Sequence, residues 1–100
     1  MWVFAAEFAL DLPLSQSLKD KRKVRLRVQE RIKQRFNVSI IETDLQDDMK
    51  VLYLGVSLAA LSEASGQRTL DGIRERIYEL TGLEAEIIGF ESFVLGDPLQ

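Results

Sequence analysis

The sequence contains no cysteine and no histidine among its 100 residues. Without cysteine the chain can form no disulfide and can offer no thiolate to a metal or a substrate. Without histidine it lacks the commonest general base near neutral pH, and it cannot form a serine–histidine–aspartate triad. These absences exclude the ordinary zinc sites and the commonest forms of nucleophilic catalysis. They do not indicate in which cellular compartment the protein works.

Long apolar runs and phosphate-binding loops are missing as well. The first ten residues are apolar, but no basic segment precedes them and Glu7 interrupts them, so we expect neither a signal peptide nor a membrane span. The glycines at 66, 72 and 82 form no recognised phosphate loop, and no pair of carboxylates stands out by its spacing. We therefore expect a cytoplasmic, non-catalytic protein that needs no cofactor.

The composition is that of a folded domain. Hydrophobic residues make up 46% and charged residues 29% of the chain, with only six glycines and two prolines, which favours a compact core over disorder. A chain of this length is sufficient for one such core. We predict a single domain over residues 1–100.

The periodicity of apolar residues predicts six elements. They are a strand over residues 2–12, a helix over 17–36, strands over 38–45 and 50–60, a helix from 62 to about 80 and a strand over 84–95. Ser17 or Ser15 can cap the first helix and Ser62 the second, which Gly66 and Gly72 weaken and Gly82 ends. Short connections and right-handed crossovers then favour an α+β fold of the ferredoxin-like type, a four-stranded antiparallel sheet with both helices on one face.

The first predicted helix is strongly basic. It holds nine of the thirteen basic residues of the chain against only two acids, Asp20 and Glu30, although the whole protein has a net charge of −3. The candidate contacts to nucleic-acid phosphates or another anion are Lys19, Lys21, Arg22, Lys23, Arg25 and Arg27. Two alternatives stay open: an acidic protein partner, or internal neutralisation by acids of residues 42–48 and of the second helix.

The acids that follow the second strand allow two interpretations. Their carboxylates could hold Mg²⁺ or Ca²⁺, but the spacing of Glu42, Asp44, Asp47 and Asp48 is not that of a calcium loop, so we predict no metal site. Alternatively, Glu42 or Asp44 reaches the basic first turns of the helix, where the helix dipole disfavours cations. We then expect a loss of thermal stability when both are replaced.

The predicted sheet leaves one face uncovered, and this face is unusually apolar. Its small and apolar residues predict a homodimer or a higher oligomer, with the interface at Val3, Ala5, Ala9, Val51, Tyr53 and Gly55. The same face offers Tyr53 and one ring from Phe90 or Phe93, which is less than the aromatic cluster on which RNA bases stack. If RNA binds, the basic helix is the better candidate.

Several short segments resemble the YlxP-like family of small uncharacterised bacterial proteins. They are Leu12-Pro13, the run from Ser17 to Arg22, the segment from Arg35 to Ser39, the residues Glu42, Asp44, Gln46 and Asp47, and Gly55-Val56. The resemblance implies a ferredoxin-like fold and genes that lie among those for translation initiation, transcription termination and ribosome maturation. It supports RNA or a ribosomal particle as partner and implies no catalytic residue. The alternative is a homo-oligomeric structural or protein-interaction module that binds no nucleic acid.

Overall fold

The computed structural model describes residues 1–43 and 48–96. Its elements are β1 (Trp2–Asp11), α1 (Leu18–Arg35), β2 (Ser39–Glu42), β3 (Val51–Ala60), α2 (Glu63–Thr81) and β4 (Glu86–Val94). The order is the predicted one, but β2 ends earlier than expected, and residues 44 and 45 of that prediction lie outside the described residues. In the described part of the chain, no helix has the length and apolar character that crossing a membrane requires.

The four strands form one antiparallel sheet in the order β2-β3-β1-β4. The central pair β1 and β3 is in register over its whole length, with Phe8 opposite Leu54, and β2 continues the sheet through Ser39 opposite Ser57. Both helices lie on one face, α1 against β2 and β3 and α2 against β1 and β3. The predicted ferredoxin-like arrangement is confirmed.

Strict alternation along β1 and β3 decides which side chains form the core. On each strand every second residue faces the helices, and the buried set includes Phe4, Phe8, Leu10, Leu52, Leu54, Val56 and Leu58. Val28 and Ile32 of α1 and Leu70, Ile73 and Ile77 of α2 close this layer from the other side. The remaining side chains of the strands point away from the helices, as the sequence pattern predicted, and we call that side of the sheet the open face.

Strand β4 is less regular than its neighbours. Its register on β1 shifts between Glu7 and Phe8, which leaves one extra residue in β4. Residues directly opposite each other in a sheet point to the same side, so Phe90, opposite Ala6, lies on the helix side, while Phe93, opposite Val3, lies on the open face. The ring of Phe90 is 6.1 Å from that of Phe4, centroid to centroid.

Both helices begin at the serine caps. The hydroxyl of Ser17 accepts a hydrogen bond from the backbone N–H of Asp20 at 3.0 Å, so Ser17 rather than Ser15 is the cap of α1. Ser62 and Ser65 exchange such bonds at the start of α2. Gly82 ends α2 in the left-handed conformation, with φ of 72°, and its N–H reaches the carbonyl of Tyr78. These local signals were readable from the sequence.

Candidate functional site

The basic residues of α1 fall into two groups that differ in burial. Lys21 is only 5% exposed, and its Nζ donates a hydrogen bond of 2.9 Å to the carbonyl oxygen of Asp48. The same Nζ lies 3.8 Å from Oε2 of Glu42 on β2. Arg25 is partly buried beside it, and its Nε is 3.4 Å from the other carboxylate oxygen of Glu42. One acid of the sheet therefore neutralises two cations of the helix.

This arrangement changes the set of candidate anion contacts. Lys21 and Arg25 serve the fold, so they do not belong to the exposed charges on which the sequence prediction depends. The expectation that Glu42 reaches the first turns of the helix agrees with the structure, whereas Asp44 lies outside the described residues. A signal for the inward position of Lys21 exists in the sequence, because it precedes the buried Val28 by seven residues and Ile32 by eleven, on the same stripe of a helix.

The exposed cations of α1 form a continuous row. Every fourth residue is basic over four successive steps, which places the side chains on one ridge about 24 Å long. We call this set the cationic ridge: Lys19, Lys23, Arg27, Arg31 and Arg35. All five side chains are exposed, and Arg22 and Lys33 are exposed on the same helix.

Among the described residues, few of these charges have a carboxylate partner. Within residues 1–43 and 48–96, the only ridge residue with a carboxylate partner is Arg35, whose Nη1 lies 3.9 Å from Oε1 of Glu79. Arg22 and Lys33 also have no ion pair to a described residue. The sequence prediction had named Lys19, Arg22, Lys23 and Arg27 but missed Arg31, Lys33 and Arg35. The spacing of four residues was the available signal for Arg31 and Arg35.

Such a ridge opposes folding. A like-charge pair at this spacing destabilises an isolated helix by about 0.2–0.5 kcal/mol, so four successive pairs cost about 1–2 kcal/mol at low salt. At the helix start, Asp20 places a negative charge in the first turn, where it is favourable toward the helix dipole. From Lys23 onward, Arg35 is the only ridge residue with an ion pair to a described residue, and Glu30, three residues from Arg27, is the one acid of α1 beside the ridge. A bound polyanion would supply further negative charge.

The open face carries the six residues predicted as an oligomer interface. The register sets Val3 opposite Ala59, Ala5 opposite Ser57 and Ala9 opposite Tyr53 on the two central strands. Gly55 and Val51 lie on the same side, opposite Glu7 and Asp11. The sequence pattern thus located this surface correctly, although its role stays a prediction.

A groove of about 510 Å³ crosses the centre of this face. Its floor is made of small residues, Ala5, Gly55, Ser57 and Gly89, which the register brings side by side on three strands. A Cβ placed on Gly89 would lie 3.8 Å from Oε1 of Glu7, so the carboxylate of Glu7 leans over that glycine inside the groove. The groove can accept a projecting side chain, and it has an acid at its centre.

All charges on the described part of the open face are acidic. Glu7 and Asp11 come from β1, and the register places Glu91 opposite Ala5 and Glu86 opposite Ala9. No lysine or arginine lies among these positions on the described strands. The domain is therefore bipolar, with the cationic ridge on the helix layer and four acids on the other side of the sheet.

The aromatic residues of the open face are too far apart to act together on nucleic-acid bases. Phe93 lies in the row of Ala59, and Tyr53 is six residues away along β3, which is about 20 Å of strand. Phe90 is on the opposite side of the sheet. Stacking of successive bases needs neighbouring rings, so this face does not offer the platform of an RNA-binding sheet.

The acids considered for a metal ion are not assembled into a site in the described part of the chain. Glu42 is engaged with Lys21 and Arg25, and Asp48 belongs to the turn that Lys21 contacts. Residues 1–43 and 48–96 hold no group of three or more acids positioned for a cation. Asp44 and Asp47, also considered for this role, lie outside the described residues.

Fold and charge distribution define a small ferredoxin-like domain with one cationic helix. Residues 3–92 match a family model, and the chain belongs to that family, described as protein of unknown function DUF503. No curated protein sequence matches the chain significantly. A de novo designed protein with a ferredoxin fold, LFR1 1, known from a solution NMR structure, is similar in fold, with a TM-score of 0.52 and 17% identity over 97% of this chain and 89% of the designed one.

Proposed function

We propose that the protein is a non-catalytic binding module that engages a polyanion, RNA, through the cationic ridge. The observation that carries this proposal is the row of exposed cations that has almost no carboxylate partners among the described residues. The resemblance to the YlxP-like family supports RNA or a ribosomal particle in a cytoplasmic setting. The match to the DUF503 family model does not test that resemblance. Catalysis has no supporting constellation in the described residues.

The expected interaction is electrostatic and therefore depends on salt. Contacts from four or five ridge residues to single-stranded RNA give a slope of log affinity against log salt of about −2.8 to −3.5, so affinity falls roughly 50- to 130-fold between 50 and 200 mM salt. The acidic remainder of the protein opposes long-range attraction of RNA. Binding should accordingly be of moderate strength and confined to one side of the molecule.

Fluorescence anisotropy with labelled single-stranded RNA at these two salt concentrations tests the proposal. Arg27→Gln on the ridge should weaken binding and reduce the salt slope by about 0.7. Arg68→Gln is the matched control, because Arg68 is also exposed on a helix and has no ion pair to a described residue. Absence of binding at low salt would end the proposal, and equal effects of the two variants would show that binding does not use the ridge.

A second candidate function is self-association through the open face. Its support is the groove with a floor of small residues, together with the side chain of Phe93 at one end of the open face, which is about half exposed. A protein that functions only in this way would be a structural or protein-interaction module. Sedimentation velocity over a range of protein concentrations tests it, and a single monomeric species throughout would contradict it.

A further inference from the structure

The charge of the open face bears on how two copies can meet. If two open faces stacked on each other, Glu7, Asp11, Glu86 and Glu91 of one copy would approach the same four acids of the other. No cation of the described open face could separate them. Like charges brought together at an interface cost several kcal/mol. A symmetric sheet-to-sheet dimer is therefore opposed by the surface that would form it.

The complementary surface is on the same chain, on the outer side of α1. Leu26 is 51% exposed there, between cations at 22, 23 and 27. Phosphates offer no partner to a leucine, so RNA binding alone does not account for this side chain. The groove of the open face does, because the small side chains of Ala5 and Ser57 line it between Thr43, which covers Gly55, and Glu7, which lies over Gly89. The carboxylate of Glu91 lines the same cavity.

We propose that the protein self-associates head to tail, with α1 of one copy lying across the open face of the next. Leu26 enters the groove, and Arg22 and Lys23 meet the carboxylates of Glu7 and Glu91. This inference rests on the proposed self-association and gives it a geometry. Each copy then has one donor surface and one acceptor surface, so assembly continues into a ring or a chain and does not stop at a two-fold dimer. RNA and the next copy compete for the same helix.

Mixing two variants tests this geometry. Leu26→Asp removes the donor surface and leaves the acceptor, whereas Glu7→Arg removes the acceptor surface and leaves the donor. In sedimentation velocity at low salt, wild-type protein should form species larger than a dimer as concentration rises, and each variant alone should stay monomeric. An equimolar mixture should form a one-to-one dimer and nothing larger. Arg68→Gln should assemble like the wild type, and circular dichroism should show that both variants are folded.

Three outcomes would overturn the inference. They are a wild-type protein that is monomeric at all concentrations, variants that assemble as well as the wild type, and a mixture that contains only monomers. The first outcome also removes the proposed self-association, while the other two remove only the head-to-tail geometry. Should Glu7→Arg be unfolded, Glu7→Gln with Glu91→Gln replaces it and should likewise pair with Leu26→Asp. RNA binding is measured separately on the monomeric Glu7→Arg variant, which keeps the ridge. Failure of the RNA proposal can therefore be distinguished from failure of the proposed self-association.

Discussion

Helix α2 approaches β1 so closely that Gly66 has no room for a side chain, and Gly66→Ala tests how tightly this contact is fixed. A Cβ at residue 66 would lie 2.0 Å from Cε2 of Phe4 and 2.5 Å from two further ring atoms. Phe4 is 1% exposed and enclosed by the core, so its ring has no space into which to move. Overpacking of this kind costs about 1–3 kcal/mol, against a gain of about 1 kcal/mol from replacing a helical glycine by alanine.

Since three atoms of a buried ring are involved, we take the upper part of the overpacking range, about 2–3 kcal/mol. We therefore expect Gly66→Ala to lower the free energy of unfolding by about 1–2 kcal/mol, which corresponds to a fall in Tm of about 4–16 °C in a domain of this size. Gly72→Ala is the matched control on the same helix. Its Cβ would lie 3.1 and 3.3 Å from two atoms of the Phe36 ring, which is only partly buried at the end of α1 and can shift. This variant should be unchanged or up to about 1 kcal/mol more stable.

Urea unfolding followed by circular dichroism measures the stability of both variants. A change in stability alone shifts the midpoint and leaves the dependence of the unfolding free energy on urea concentration unchanged. The double variant Gly66→Ala with Phe4→Leu should be more stable than the sum of the two single effects, because the smaller side chain relieves the clash. Equal stability of Gly66→Ala and Gly72→Ala would refute the reasoning, since the neighbouring ring is both closer and more enclosed at Gly66 than at Gly72.

Three further predictions concern charges and caps. Glu42→Gln should lower the unfolding free energy by about 1–3 kcal/mol in thermal melts, because Lys21 and Arg25 lose a partly buried carboxylate, whereas Glu75→Gln, on the exposed surface of α2, should change it by less than about 0.5 kcal/mol. Arg31→Glu should raise the unfolding free energy by about 1 kcal/mol, since two repulsive pairs on the ridge become attractive, and should weaken RNA binding in the anisotropy assay. If stability and RNA affinity both rose, or both fell, the role assigned to the ridge would be contradicted. Ser62→Ala should cost about 1 kcal/mol through loss of the capping box at the start of α2, measured by urea unfolding, and an unchanged midpoint would contradict this.

Sequence reasoning succeeded where the signal is local. The faces of β1 and β3 follow from alternation alone, because a residue and its second neighbour always point to the same side of a strand. The caps at Ser17, Ser62 and Gly82 are likewise set by residues within one helical turn. Alternation also places Phe90 and Phe93, which are three residues apart, on opposite sides of β4. It does not give which of them faces the helices, because that depends on how β4 pairs with the distant strand β1.

The burial of Lys21 shows a second limit. A count of basic residues treats all nine cations of α1 alike, whereas helical phase turns Lys21 and Arg25 toward the sheet. Phase can be read from the sequence, but the carboxylate that makes this burial tolerable comes from β2. That partner is defined only once α1 is seated on β2 and β3. A buried lysine without such an acid would be unfavourable, so helical phase alone does not decide which cations are buried.

The two helices of the domain provide an internal comparison for the meaning of the ridge. Both pack on the same sheet, yet α2 mixes three basic with four acidic residues, and Arg76 lies 3.9 Å from Glu79 one turn away. Helix formation on this sheet therefore does not require charges of one sign to be segregated. In α1, acids at alternate ridge positions would have replaced repulsion by attraction at no cost to the buried stripe. By the estimate above the ridge costs stability, and apart from Arg35, which lies over the ring of Phe36, none of its residues is seen in contact with a core aromatic ring in the described part of the chain. This is what we expect of a surface that contacts something outside the chain.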